Sequence, residues 1–163
     1  MKKIVTSLLI LILIPTLIGC SKTTTKYSSS SLNLKPEYTK TFSSTFVFEA
    51  DKITKISIDL YNKAIIDTTP EAKTFESKYK EFDKVVPQNA SEKDFKDAIN
   101  KYALYYSMLA LDTSILITEQ DLRDRGIENK DKYDAKMEKY QKSKTENLKH
   151  IESDMKNIMK YYE

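Results

Sequence analysis

The chain has 163 residues, of which 27 are basic and 24 acidic, for a formal charge of +3. Lys2 and Lys3 lie at the extreme N-terminus, so beyond residue 19 the balance is nearly even and gives no basic field of the kind nucleic-acid binding draws on. Two glycines and abundant Lys, Glu, Ala and Leu argue against a turn-rich β fold, and a single cysteine excludes an internal disulfide.

The first element in chain order stands apart from the fold. Met1-Lys2-Lys3 is a short positive stretch, and Ile4 to Ile18 (IVTSLLILILIPTLI) is apolar except for Thr6, Ser7, Pro15 and Thr16. At about fifteen residues it is short of the roughly 20 that span a bilayer. Pro15 near its end also suits a processed segment better than a permanent span. The residues that follow, Leu17-Ile18-Gly19-Cys20, resemble the lipobox of bacterial lipoprotein precursors. The resemblance covers the first twenty residues and implies three things. Residues 1–19 are a signal peptide, cleavage falls between Gly19 and Cys20, and diacylglycerol is carried on the Cys20 sulfur. Buried acyl chain is worth roughly 0.8 kcal/mol per CH₂, and two chains hold where one is marginal. The implied location is the outer face of a bacterial cytoplasmic membrane, which is the periplasmic face in a two-membrane cell.

Ser21 to Pro36 (SKTTTKYSSSSLNLKP) is rich in hydroxyls. With Cys20 it reads as a flexible tether over 20–36, with a reach of about 20 Å by the random-coil rule. Residues 37–163 then form the folded domain. Its first helix is expected near 39–67. Thr41 to Phe48 (TFSSTFVF) and Ile56-Ser57-Ile58-Asp59-Leu60 have strand-like composition. However, Phe46, Ile53, Ile56, Leu60 and Ala64 share one helical face, and no second strand is evident. The second helix, near 70–86, opens on Thr69-Pro70-Glu71 and carries Phe75, Tyr79, Phe82 and Val86 at helical spacing.

Pro87-Gln88-Asn89-Ala90 breaks the chain, and Ser91-Glu92-Lys93-Asp94 has the form of a capping box. A third helix over 91–125 carries Phe95, Ile99, Tyr102, Tyr106 and Leu109 on one face. Ala103, Leu104, Tyr105, Met108, Leu111, Ile115 and Leu116 widen its apolar surface beyond one stripe, which predicts a central position. Gly126 is placed to end this helix in a left-handed conformation. Asn129 is placed to cap a fourth helix over 130–162, with Met137, Tyr140, Leu148, Ile151, Met155, Ile158 and Tyr162 in a narrow seam. The expectation is an all-α fold: an elongated antiparallel bundle of three long helices and one short one.

Chemistry-bearing motifs are scarce. His150 is the one histidine, with Glu146 one helical turn before it, a single pair where metal and acid–base sites need several groups. Asp121, Asp124, Glu128 and Asp131 crowd the third turn, but their spacing is not that of a calcium loop, and Arg123, Arg125 and Lys130 interleave with them. No catalytic residue, metal site or cofactor is predicted beyond the covalent diacylglycerol on Cys20. Tyr102, Tyr105, Tyr106, Tyr161 and Tyr162 are the candidate interaction surface, because tyrosine packs a ring and keeps a hydroxyl wet. A bundle core near solvent is the favoured place for these rings, and a binding surface is the second reading.

The resulting expectation is a non-enzymatic, lipid-anchored envelope protein that works through contact with an envelope protein partner. It would be an adaptor, an assembly factor, or an exclusion or immunity lipoprotein. Two alternatives stand beside it: a ligand-binding lipoprotein with an apolar pocket between its helices, and a precursor whose signal peptide, near Leu13 to Gly19, is released as a pheromone.

Overall fold

Hydrophobic spacing of three and four residues governs most of this chain, and the fold follows from where each apolar stripe finds cover. The computed structural model describes residues 26–30, 32–63, 70–127 and 130–163. The expected signal peptide over 1–19, with Gly19, and Cys20, Ala64, Thr69, Glu128 and Asn129 lie outside the described residues. Five helices are described: α1 (Pro36–Thr39), α2 (Ser44–Lys63), α3 (Pro70–Asp83), α4 (Ala90–Asp124) and α5 (Lys130–Met159). The fold is all-α, a bundle of helices as the sequence predicts. None of the described helices is long and apolar enough to cross a membrane.

The first expected helix is two. A one-turn α1 is followed by a break over 40–43, and α2 then begins. The break has a distant cause: the Ser43 N–H donates to Glu92 Oε1 at 2.6 Å, so it is withdrawn from a continuing helical ladder. The Ser43 hydroxyl in turn accepts from the Phe46 N–H. From there the stretch read as strand-like is helical, because Phe46, Ala50, Ile53 and Leu60 are all buried on one face.

α3 stops at Asp83, earlier than expected. Lys84 and Val85 turn back onto Glu81 and Phe82, and the Lys96 ammonium takes the carbonyls of Asp83 and Val85. Val86, expected on the apolar face, is exposed just before Pro87. The start of α4 also differs. Its N-cap is Asn89, whose Oδ1 accepts from the Glu92 N–H at 2.9 Å, and Glu92 at the third helical position reaches back to the Gln88 N–H. The capping box is therefore Asn89 with Glu92, not Ser91 with Asp94. At the other end Gly126 has φ +70°. Its N–H bonds Arg123 and the Ile127 N–H bonds Leu122, the doubly bonded left-handed ending in which glycine is favoured.

α5 ends at Met159 rather than 162, because the residues after it pair with the N-terminal segment. Lys35 N–H donates to the Tyr161 carbonyl, Glu163 N–H donates to the Asn33 carbonyl, and Leu34 bridges Tyr162 in antiparallel sense. The same segment corrects the expected tether. Tyr27 exchanges two hydrogen bonds with Asn62 through its backbone, at 3.2 and 2.6 Å, and the Ser29 hydroxyl donates to Asp59. Tyr27, Leu32 and Leu34 pack against the core. Docking onto the fold thus begins at Tyr27, not after Pro36.

α4 and α5 form a long antiparallel hairpin, of 35 and 30 residues, and α2 with α3 pack against one part of it. The continuous core runs on α4 from Phe95 to Leu109 and on α5 from Ile151 to Ile158. In this base the rings of Phe42, Phe46, Phe82 and Phe95 meet edge to face at 5.2 to 6.2 Å, and Tyr161 caps Phe95 at 5.0 Å. Such pairs add about 0.5–1.5 kcal/mol beyond their area. Past Leu109 the two helices continue as a two-layer arm.

Candidate functional site

The five tyrosines offered by the sequence as a surface belong mainly to the core. Tyr102 is fully buried and its hydroxyl donates to the Ser57 carbonyl at 2.9 Å. Burial, with the neighbouring Tyr106 and Tyr61 hydroxyls, holds its pKa far above the ordinary tyrosine value. Tyr106 is buried beside it, its ring parallel to that of Tyr102 and 5.3 Å from Phe75. Tyr162 is buried with its hydroxyl donating to Asp51 and within 3.4 Å of Thr54 Oγ1. Tyr161 is buried against Tyr38 and Phe95, and burial pushes its pKa up to about 12. Tyr105 alone is half-buried, stacked at 4.2 Å on His150. Four of the five are therefore buried and not presented to a partner.

His150 finds a ring to stack on, and no group of three or more acidic, cysteine or histidine side chains that could hold a metal exists among the described residues. The acids near the third turn are spoken for locally: Asp121 pairs with Arg125 at 2.7 Å and Asp124 accepts from Gln120 at 2.9 Å. Between α4 and α5 a solvent-open hollow of about 250 Å³ is lined by Asp94, Asp97, Lys101, Asp154, Asn157 and Lys160. Desolvation raises the Asp154 pKa, while the Lys101 and His150 charges pull it down. A second open hollow, of about 600 Å³, follows one face of α5 between Asp134 and Lys149. Both are mixed in charge and open.

The arm is joined by polar groups that sequence reasoning missed. Asp112, buried on α4, accepts from the Ser143 hydroxyl at 2.7 Å and the Asn147 amide at 2.8 Å. One heptad on, Glu119 takes Lys136 at 3.0 Å. Beyond it the Tyr133 hydroxyl donates to Gln120, and the Arg123 guanidinium lies over the Tyr133 ring. The signal was present as the seven-residue spacing of Asp112 and Glu119 opposite that of Lys136 and Ser143, but polar residues at such spacing read as a solvated face.

From the base into the arm, α4 leaves part of its apolar surface open. Leu104 is 56% exposed, Met108 41% and Leu111 61%, and Ile115 and Leu122 continue the same line half-buried. All five stand on α4, on the side away from the residues that meet α2 and α3. This stripe is the most extended uncovered apolar feature among the described residues, and it makes a contact surface rather than a chemical site. No known protein family, curated protein or solved structure shows detectable similarity to the chain.

Proposed function

We propose that this is a lipid-anchored protein of the bacterial envelope, held by diacylglycerol on Cys20 after cleavage at Gly19, and that it acts by protein–protein contact without catalysis. One observation carries the reading: a positive start, an apolar run too short to span and the sequence Leu17-Ile18-Gly19-Cys20 follow each other in order, with the chain's single cysteine at the end. The uncovered apolar stripe of α4 supports contact as the mode of action. It replaces the tyrosines, which the core absorbs. Tyr27, docked on Asn62, is seven residues from Cys20 along the chain, a separation that spans at most about 25 Å at 3.3–3.6 Å per residue. The folded body is thereby kept close to the lipid.

The test is metabolic labelling with an alkyne-bearing palmitate, followed by crosslinking pull-down from intact cells. The wild type should take up label and capture a defined envelope protein, a second copy of itself included. Cys20→Ala should lose the label and the membrane association. Label that persists in Cys20→Ala, or a wild type that stays unlabelled, would overturn the anchor.

A further inference from the structure

We propose that the hollow between α4 and α5 in the base binds a small zwitterion of the amino-acid class, its ammonium on Asp154 and its carboxylate on Lys101. The inference goes beyond contact as the mode of action and stands whether or not Cys20 carries lipid.

The site follows from the antiparallel register of the two helices. Asp94, Asp97, Ala98 and Lys101 stand at i, i+3, i+4 and i+7, so they share one face of α4 over about 10 Å. Asp154 and Asn157 face them from α5, with Lys160 just past its end. Because α5 runs the other way, Asp154 comes level with Lys101, one turn from the stacked pair of Tyr105 and His150. Ala98 has no side chain beyond Cβ, and the room it leaves is about 250 Å³. That is several times the roughly 30 Å³ share of one water. It is below the range of about 300–1,000 Å³ of apolar pockets for drug-sized ligands, so the guest it suits is small and polar.

Floor and rim differ. Asp154 and Ala98 are buried at the floor, whereas Asp94, Asp97, Lys101, Asn157 and Lys160 are exposed around the rim. Asp154 is 6% exposed, and its Oδ2 is buried with no hydrogen bond from any of the described residues. The other buried carboxylates among the described residues are all met. Glu92 takes the Ser43 and Gln88 N–H groups, Asp112 takes Ser143 and Asn147, and Glu119 takes Lys136. Asp154 breaks that rule at the one place where a buried carboxylate gives onto a hollow, and an unmet acceptor is costly. The charges of Lys101 and His150 bear on it, but neither forms an ion pair with it.

An ammonium supplies what the floor lacks: compact positive charge with three donors. A bare amine would meet like charge at the rim from Lys101 and Lys160. A zwitterion brings a carboxylate for them as well, and an α-amino acid carries its two charges close enough to bridge neighbouring groups. The open mouth leaves its side chain in solvent.

The experiment titrates the full chain, ¹⁵N-labelled and in detergent, with L-alanine, propylamine and propionate, and follows the backbone amide shifts. L-alanine should move the amides of 94–101 and 154–160 with a Kd of about 1 mM. Propylamine and propionate each carry one of its charges and should bind about ten times more weakly. Asp154→Asn and Lys101→Met change charge with little change of shape. Each should weaken L-alanine about tenfold while amides remote from the hollow keep their positions. No movement with about 20 mM L-alanine would overturn the site. Propylamine or propionate binding as tightly as L-alanine would overturn the zwitterion, and undiminished binding in either variant would overturn the assigned pair.

Discussion

The base of the bundle and its arm are built from the same two helices, yet they are held by different physics. In the base, α2 and α3 lie over α4 and α5, and phenylalanine and tyrosine rings from α2, α3, the 40–43 break and the chain end converge on Phe95 of α4. In the arm, α4 and α5 have each other alone, and Asp112, Glu119 and Gln120 bind Ser143, Asn147, Lys136 and Tyr133 across the seam. Helix formation does not distinguish the two regions. Cover does: an aromatic core supplies stability through area, whereas a polar ladder supplies register and little surplus. Regions of the second kind open at lower free energy than the whole.

The largest expected contrast comes from emptying the base. Phe95→Ala, at a fully buried ring, should cost about 3–5 kcal/mol, while Leu111→Ala on the exposed stripe should stay within about 0.5 kcal/mol. Urea denaturation of the two variants in detergent reads the difference directly, and similar losses would mean that the arm is as well covered as the base. Next in size is Glu92→Ala. It strips the acceptor from the Ser43 and Gln88 N–H groups, at about 1–3 kcal/mol for each donor left bare. Asn89→Ala removes the cap together with the Asn89 amide bond to the Thr41 carbonyl and should cost about 1–2 kcal/mol. Equal effects of the two would show that the carboxylate does nothing beyond the cap.

A smaller and local effect is expected in the arm. Asp112→Ala removes a charged acceptor from two donors, worth about 1.5–3 kcal/mol for hydrogen bonds to charge. Hydrogen exchange should quicken over 110–124 and 130–147 and stay unchanged around Ile99 and Met155. Uniform acceleration would erase the distinction between the regions.

The smallest effect is one of pH. Burial raises the Asp154 pKa, so the folded state holds that proton more tightly than the unfolded chain does. The burden is absent below the ordinary aspartate value of about 3.9 and grows as pH climbs through the raised folded value. Asp154→Asn should therefore match the wild type in acid and exceed it at neutral pH, in urea midpoints measured on both sides of that window. An advantage confined to acid would contradict the sign.

Most of the base was legible because large rings at steps of three and four admit one reading: Phe75, Tyr79 and Phe82 could only share a helical face. The break at 40–43 was not legible, since the acceptor that takes the Ser43 N–H is 49 residues away. Two overlapping caps stood in the sequence. The true one was chosen by reach, because a glutamate at the third helical position returns to the preceding backbone. The tyrosines read as core before surface, and Tyr102, Tyr106, Tyr161 and Tyr162 are buried; what the sequence did not show is that Ser57 and Asp51 supply partners for the Tyr102 and Tyr162 hydroxyls inside. For α4 the sequence announced an apolar surface wider than one stripe and so a central position. The wide surface is there, but Leu104, Met108 and Leu111 on it stand exposed, because a single sequence does not say whose atoms will do the covering.

The pairing of Leu34 with Tyr162 sets an order of events. Tyr162 also reaches Asp51 and Thr54, 111 and 108 residues back along the chain. The base thus cannot close until the residues after α5 have emerged. On the proposed reading of an exported chain that crosses N-terminus first, the final locking step would wait for the end of translocation.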